Sequence, residues 1–215
     1  MKQDRTAPEI PASHVAVTDS ADDLATIREP GCAAAIWNRT PSEAFQTWID
    51  TLPVDQWPRG RTVFRADDAR DFVDNLLAAQ GLPNEGQAAV LAEDMAAICG
   101  VFAKIMNATF LKMRVEVVTG NACRKFHLDA MEARLICTYR GEGTQYGVSA
   151  NGDAPEQVFS VPTGAHAIFR GSEWRDGAPP NLLHRSPPIE GTGETRFVMV
   201  LDAAMDPASE DRAAE

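Results

Sequence analysis

The order of apolar and polar positions divides the chain into a helical first part and a second part of short strands. The clearest helical pattern covers residues 85–106, where apolar residues recur every three or four positions. This spacing places them on one face of an α-helix that packs on a core. The stripe consists of Leu91, Met95, Ile98, Phe102 and Ile105. Two shorter helices are predicted before it, one between Pro41 and Pro53 and one that begins near Asp67.

After Asn107 the pattern changes to alternation of apolar and charged residues, which is typical of a half-buried strand over 111–117. Further short strands are predicted over 125–129, 134–139, 157–161, 166–169, 182–185 and 196–201. Glycine-rich turn signals separate many of these segments. The sequence therefore predicts an α+β fold in which a helical N-terminal part packs on a double-stranded β-helix, the jelly-roll or cupin-like barrel.

Length and composition favour one folded domain. The chain has 215 residues, with 44% hydrophobic and 24% charged residues, which is ordinary for a globular protein. The weakly periodic segment 1–30 is predicted to be a flexible N-terminal tail. Residues 31–202 are predicted to form a single helix-plus-jelly-roll domain, and 203–215 an acidic C-terminal tail.

The formal net charge of −11 argues against nucleic acid and anionic membranes as partners, because both attract basic surfaces. No apolar stretch is long enough to span a bilayer, and the N-terminus lacks the apolar core of a secretory signal. The four cysteines have no CxxC spacing, which favours reduced thiols. We expect a cytoplasmic protein that acts on an unidentified small molecule or protein, and the sequence does not indicate an oligomeric state.

Two histidines and one aspartate have the spacing of a metal site. His127 and Asp129 are two positions apart, so on a strand their side chains point to the same face. His184, on a later predicted strand, completes a set of two imidazoles and one carboxylate, which binds Fe(II) and leaves coordination positions open. Cys123 would favour zinc if its thiolate joined them. A lone histidine is more often structural, so the prediction depends on the three residues together.

Three more residues are candidates for co-substrate binding. Arg196 begins the predicted strand 196–201, and a guanidinium there can bind a carboxylate through two parallel hydrogen bonds. Its partner would be the far carboxylate of a keto acid such as 2-oxoglutarate. Arg134 and Tyr139 lie on the strand after the His-x-Asp pair, and either face of that strand can line a pocket. The plainer alternatives are a surface ion pair for an arginine and core packing for the tyrosine.

Several segments resemble the bacterial family known as domain of unknown function 1826. They are CRKFHLD at 123–129, RLICTYRGEGT at 134–144, HRSP at 184–187 and the closing strand at 196–202. The resemblance extends from about Gly31 onward. The family name implies no activity, but the association of its members with zinc-responsive gene neighbourhoods implies a link to zinc.

The order His-x-Asp, His, Arg is also similar to that of the iron- and 2-oxoglutarate-dependent oxygenases. This second resemblance implies that His127, Asp129 and His184 hold Fe(II) and that Arg196 binds 2-oxoglutarate. The leading hypothesis is thus an oxygenase with an unidentified substrate. The alternatives are a non-redox cupin-like protein of zinc homeostasis and a barrel that binds a ligand without any metal.

Overall fold

The structure, a computed structural model, describes residues 12–149, 151–175 and 177–208. The helices are α1 (Glu43–Thr51), α2 (Ala69–Ala78) and α3 (Gly86–Met106), and short 3₁₀ helices accompany them. The strands are β1 (His14–Thr18), β2 (Cys32–Trp37), β3 (Gly60–Arg65), β4 (Phe110–Val118), β5 (Ala133–Arg140), β6 (Gln145–Val148), β7 (Phe159–Ser160), β8 (His166–Arg170), β9 (Leu182–Arg185) and β10 (Arg196–Ala204).

The strands form a large and a small sheet in a mixed α+β fold. The seven-stranded sheet has the order β1-β2-β8-β5-β10-β4-β3, and the three-stranded sheet has the order β7-β6-β9. The large sheet is antiparallel except for its β1–β2 pair, which is parallel. One of its inner strands is the long strand β10, which pairs with β4 on one side and β5 on the other.

Residues at the helix ends explain where α1 begins and where α3 ends. The Ser42 side chain accepts a hydrogen bond of 3.2 Å from the Phe45 amide, which caps α1. Helix α3 ends at Asn107, whose φ of 51° is the left-handed conformation of a helix C-terminus. The helix predicted over 85–106 is confirmed, and its stripe is buried.

The two faces of the large sheet have different roles. Odd-numbered residues of its central strands join the helices in one hydrophobic cluster, as Met113, Leu135 and Met199 do. Even-numbered residues such as Ile136 and Val200 belong to a second cluster that includes Leu182 of the small sheet. This alternation places the even-numbered side chains of β4, β5 and β10 on the face where the candidate site lies.

The N-terminal tail prediction needs correction where the structure describes it. Within 12–30, β1 pairs with β2, and a 3₁₀ helix over Asp22–Arg28 buries Leu24 and Ile27. These elements are too short to give a clear period in the sequence. Residues 1–11 and 209–215 of the two predicted tails lie outside the described residues, and β10 continues to Ala204.

The strand predicted over 125–129 is also absent. His127 makes only an isolated β-bridge with His184, and its neighbours are irregular. The sequence pattern does not predict strand β6 or the continuous apolar strand β2, because β6 is short and β2 lacks alternation. In the described ranges, no helix has the length and apolar character needed to cross a membrane.

Candidate metal centre

A pair of backbone hydrogen bonds brings the two predicted histidines together. The amide of His127 donates to the carbonyl of His184, and the amide of His184 donates back, each over 3.0 Å. The centroids of the two imidazole rings are 4.6 Å apart. The irregular segment before β5 is therefore attached to β9 by this bridge, and the amide of Ser186 adds a hydrogen bond of 2.9 Å to the carbonyl oxygen of Cys123. The bridge places both rings side by side.

Asp129 completes a compact group of donor atoms. Its Oδ2 lies 3.2 Å from His184 Nε2, and its Oδ1 lies 3.7 Å from His127 Nε2. One donor atom from each of the three residues lies within 4.8 Å of the others. Asp129 Oδ2 is buried and has no hydrogen-bond partner of good geometry among the described residues, although His184 Nε2 is near. A buried carboxylate oxygen without a hydrogen bond is costly unless a cation or another partner satisfies it.

Contacts around the two rings favour the neutral imidazoles that a metal requires. His127 Nδ1 lies 2.8 Å from the carbonyl oxygen of Lys125, so it donates there and leaves Nε2 with its lone pair. His184 stacks on Phe169, with a centroid distance of 4.9 Å. Burial lowers the pKa of His184 and so favours its uncharged form. Both rings are thus suited to act as ligands.

Arg134 fixes the third donor. Its Nη1 donates to Asp129 Oδ1 over 2.7 Å, while its Nε and Nη2 donate to both carboxylate oxygens of Asp202 over 2.7 and 2.9 Å. Burial raises the pKa of Asp129, but contact with His184 and the charge of Arg134 outweigh it and leave the pKa below its ordinary value. The carboxylate is therefore ionised and held with Oδ2 free of the arginine.

The turn that carries Asp129 is held by the chain after β8. The amide of Gly171 donates to Glu132, and the amide of Ser172 donates to the Asp129 carbonyl oxygen over 2.9 Å. A Cβ atom on Gly171 would lie 2.0 Å from the carbonyl oxygen of Met131. Only glycine permits this close approach, so the backbone of residues 171–172 sets the position of Asp129.

A small open cavity of about 100 Å³ extends from the two histidines along the even-numbered face of the large sheet. Its floor includes Ile136, Val198 and Val200, and its far end includes Arg196 and Ser186. The cavity therefore connects the donor group to a guanidinium.

Arg196 is a buried cation with neutral hydrogen-bond partners. Its side chain donates to the carbonyl oxygen of Glu142 over 2.6 Å, to the hydroxyl of Ser186 and to the hydroxyl of Thr138 over 3.2 Å. Within the described parts of the chain, no carboxylate lies at ion-pair distance from it. Burial lowers the pKa of Arg196 to about 10, so the group is still charged at neutral pH. A guanidinium in this position, without a carboxylate partner, is suited to bind an anion.

The remaining predicted residues, Tyr139 and Cys123, contact neither the donor group nor Arg196. Tyr139 is fully buried on the helical side of β5, where its hydroxyl donates to Asp94 Oδ2 over 2.8 Å, and it does not line the cavity. Cys123 lines the cavity and is exposed, but its sulfur is not part of the donor group. Asp202 is a residue that sequence reasoning misses, although a carboxylate that ends an apolar strand is a usable signal.

The donor set fits a divalent metal of the iron type. Two imidazoles and one carboxylate on neighbouring segments match a facial triad, and the absence of sulfur from the group distinguishes it from the usual structural zinc sites. Arg196 at the other end of the same cavity fits the far carboxylate of a chelating keto acid. The residues present thus fit both groups.

A family comparison agrees with the sequence motifs. The sequence model of the family described as "Protein of unknown function (DUF1826)" matches residues 18–202. The chain belongs to this family. The match includes every segment that carried the resemblance, so that prediction is confirmed. No curated protein matches the chain.

Solved structures resemble this family member in fold. A 2-oxoglutarate complex of AtDAO1, dioxygenase for auxin oxidation 1 from Arabidopsis thaliana, gives a TM-score of 0.55 at 14% identity, over 92% of this chain and 94% of that one. The dioxygenase for auxin oxidation in rice gives 0.47 at 13% identity, over 93% and 84%. A C-terminally truncated protein of Neurospora crassa in apo form gives 0.41 at 12% identity, over 87% and 88%. At these identities the similarity concerns the fold alone, and it rests on the Arabidopsis structure, whose TM-score is above 0.5.

Proposed function

We propose that this chain is a non-haem Fe(II)- and 2-oxoglutarate-dependent oxygenase built on a jelly-roll. His127, Asp129 and His184 would hold the metal, and Arg196 would bind the far carboxylate of 2-oxoglutarate. The fold shared with a 2-oxoglutarate-binding dioxygenase supports the proposal. The observation that carries it is the buried Arg196 without a carboxylate partner, in the same cavity that the two donor histidines line.

When bound, Fe(II) with 2-oxoglutarate and O₂ supplies the oxidation of a substrate carbon, with succinate and CO₂ as co-products. The chain's own residues orient the participants. Arg196, with the hydroxyls of Ser186 and Thr138 beside it, fixes one end of the co-substrate. Arg134 keeps Asp129 ionised and directs its Oδ2 toward the histidines. Val198 and Val200 line the intervening floor and limit the access of water.

Anaerobic titration of metal-free protein with Fe(II) and 2-oxoglutarate tests the proposal. We expect a weak visible charge-transfer band, and succinate once O₂ is admitted. Arg196→Met should leave metal binding intact but weaken 2-oxoglutarate binding roughly 30-fold or more, because losing one partner of a buried charge pair costs about 2 kcal/mol or more. His184→Ala should abolish the band.

His14→Ala is the matched control, because His14 is an exposed histidine on β1. Its Fe(II) binding and its 2-oxoglutarate binding should equal those of the wild type. Circular dichroism would establish that each variant is folded. No band and no succinate from the folded wild-type protein would refute the oxygenase proposal. The exclusion of the Cys123 sulfur from the donor group leaves no observation that favours the zinc alternative.

A further inference from the structure

The cavity and the whole chain have opposite charge. The chain has 20 basic and 31 acidic residues and a net charge of −11. The large sheet nevertheless contributes Arg114, Arg134 and Arg196 to the cavity lining, and Glu116 is the acidic residue among the described lining residues. In an acidic protein, cations gathered at one opening need a specific explanation.

Two of these arginines already have partners. Arg134 binds Asp129 and Asp202, and Arg196 binds 2-oxoglutarate under the proposed function. Arg114 is different. Its contact is with Glu116, where Nε and Oε1 are 3.6 Å apart, an ion pair too long for a hydrogen bond.

A second arginine lies directly opposite Arg114. In the β3–β4 register Arg61 pairs with Arg114, so the two side chains point to the same face. Arg61 is exposed, and no carboxylate lies at ion-pair distance from it in the part of the chain that the structure describes. Lys112, two positions before Arg114, shares this face. We call Arg61, Lys112 and Arg114 the basic shelf.

Like charges placed directly opposite on paired strands are destabilising. Glu116 can offset the charge of Arg114, and Asp202, which lies opposite Lys112 in the β4–β10 register, is already bound by Arg134, so the basic shelf keeps a net positive charge beside the cavity. An oxyanion between Arg61 and Arg114 would relieve their repulsion and accept hydrogen bonds from both guanidiniums. The arrangement therefore has the properties of an anion site.

The shelf lies within reach of the donor group. Arg114 on β4 and Arg134 on β5 are two strands apart and two residues out of register, so their Cα atoms are about 12 Å apart, and Arg61 on β3 is one strand further out. Arg134 in turn contacts Asp129. A small molecule with its anionic group on the shelf can thus extend to the metal donors. Three cations in a chain of net charge −11 suit a small anion better than a nucleic acid.

We propose that the substrate oxidised at this site is a small molecule with a carboxylate or phosphate group that binds Arg61 and Arg114. This inference rests on the proposed oxygenase function, and it adds the substrate class. The anionic group fixes one end of the substrate on the shelf, and the carbon to be oxidised lies about one small-molecule length away, at the metal.

Anion binding is tested first, with inorganic phosphate and acetate as separate probes. Each is titrated by calorimetry into metal-free protein at one fixed ionic strength. The double variant Arg61→Gln/Arg114→Gln should bind the preferred probe at least about tenfold more weakly, which corresponds to the loss of about 1.4 kcal/mol. Its melting temperature should be unchanged or higher, because the repulsion is removed. The probe with the higher affinity identifies carboxylate or phosphate chemistry.

Arg175→Gln is the matched control, since the side chain of Arg175 is 84% exposed and lies outside the cavity lining. It should bind both probes as the wild type does. Equal affinity in the double variant and the wild type, or equal weakening in the control, would overturn the anion site.

Turnover separates this inference from the proposed function. Succinate release should be stimulated more by small anionic compounds than by uncharged analogues, and the double variant should lose that stimulation. If succinate forms but stimulation is indifferent to Arg61 and Arg114, the substrate inference fails and the oxygenase stands. If no succinate forms while phosphate or acetate binding depends on the two arginines, the oxygenase fails and the anion site stands.

Discussion

Asp129 is the residue on which the donor group depends most. Both of its carboxylate oxygens are constrained, Oδ1 by Arg134 and Oδ2 by its approach to His184. Arg134 is itself held by the two oxygens of Asp202. The order of these contacts makes Arg134 a positioning residue that would act on a bound metal through Asp129.

Arg134→Gln is expected to weaken metal binding by about 10- to 100-fold, the usual effect of losing a group that orients a ligand. Arg134→Lys should recover part of the affinity, because it keeps the charge but loses the forked geometry. Fluorescence titration of metal-free protein with Fe(II) under anaerobic conditions measures the effect.

Arg140→Gln provides the control for this prediction. Arg140 lies on the same strand, but it pairs with Asp50 and its guanidinium lies over the ring of Trp57. Metal affinity should not change in this variant. Wild-type affinity in Arg134→Gln would show that Asp129 keeps its position without the arginine.

At the scale of elements, the junction between β8 and the Asp129 turn is a very close backbone approach beside the site. Gly171→Ala should destabilise the fold by about 1–3 kcal/mol, because the added Cβ overlaps the backbone at Met131. The same shift should move Asp129 and weaken metal binding. Denaturant unfolding and metal titration measure the two effects separately.

The matched substitution is Gly100→Ala in α3, where an added Cβ meets no atom within 4 Å. Here alanine should increase stability by roughly 0.5–1 kcal/mol, as it does in an exposed helix interior. Metal affinity should remain at the wild-type value. A loss of stability without any loss of metal affinity in Gly171→Ala would contradict the role assigned to the junction.

The junction of β8 with α3 and β5 contains a separate buried group. His166 Nε2 lies 3.5 Å from Asp94 Oδ2, and Asp94 is also bound by Arg39 and by the hydroxyl of Tyr139. Burial lowers the pKa of His166 to about 4, while the charge of Asp94 acts in the opposite direction and that of Arg39 adds to the lowering. Cys137, the β5 partner of His166, is also buried.

Because the unfolded chain binds a proton near pH 6.5 and the folded chain only near 4, stability should fall as the pH drops through this window. Above pH 6.5 His166 is neutral in both the folded and the unfolded chain and does not affect stability. Between pH 6.5 and pH 4 the free energy of unfolding should fall by on the order of 3 kcal/mol, because the unfolded chain gains the proton first. His166→Phe, which keeps a ring against Trp37, should flatten this part of the curve. Urea unfolding of metal-free protein at several pH values measures it, and parallel curves for both proteins would refute the assignment.

The sequence predicts the elements with strong periods and misses those without them. Helix α3 and strand β4 are predicted nearly to their ends because each has one buried face. Strand β2 is buried along most of its length and has no alternation, so its run of alanines gives no strand signal. Strand β7 lies inside the strand predicted over 157–161 but is much shorter, because only Phe159–Ser160 pair there.

The sequence predicts which residues form the donor group, but it does not predict the backbone geometry that brings them together. Residue type and order are enough to select His127, Asp129 and His184. The reason they meet differs from the strand geometry that the sequence suggests, since His127 lies at an isolated bridge rather than on a strand. Tyr139 shows the same limit, because strand parity alone does not tell which face of β5 meets the helices.

At the scale of the whole molecule, a bound metal would add a link between the two sheets to their hydrophobic contact. His184 belongs to the small sheet, whereas Asp129 is tied through Arg134 to the large sheet. A metal that binds only the folded chain stabilises it by about 2.7 kcal/mol at 100 times its dissociation constant.

For a chain of this size, that stabilisation should raise the melting temperature by roughly 5–10 °C. Anaerobic scanning calorimetry with and without Fe(II) measures the increase. His184→Ala should show none of it, while His14→Ala should show all of it. An equal increase in His184→Ala would mean that the stabilising metal binds elsewhere.

The uneven exposure of the cysteines has a practical consequence. Cys32, Cys99 and Cys137 are buried, and burial raises the pKa of all three, that of Cys99 to about 12. Cys123 is exposed at the cavity lining. A maleimide spin label would therefore attach at one place in the native molecule without any engineering. From there, its paramagnetic relaxation would report directly on when a metal arrives and leaves.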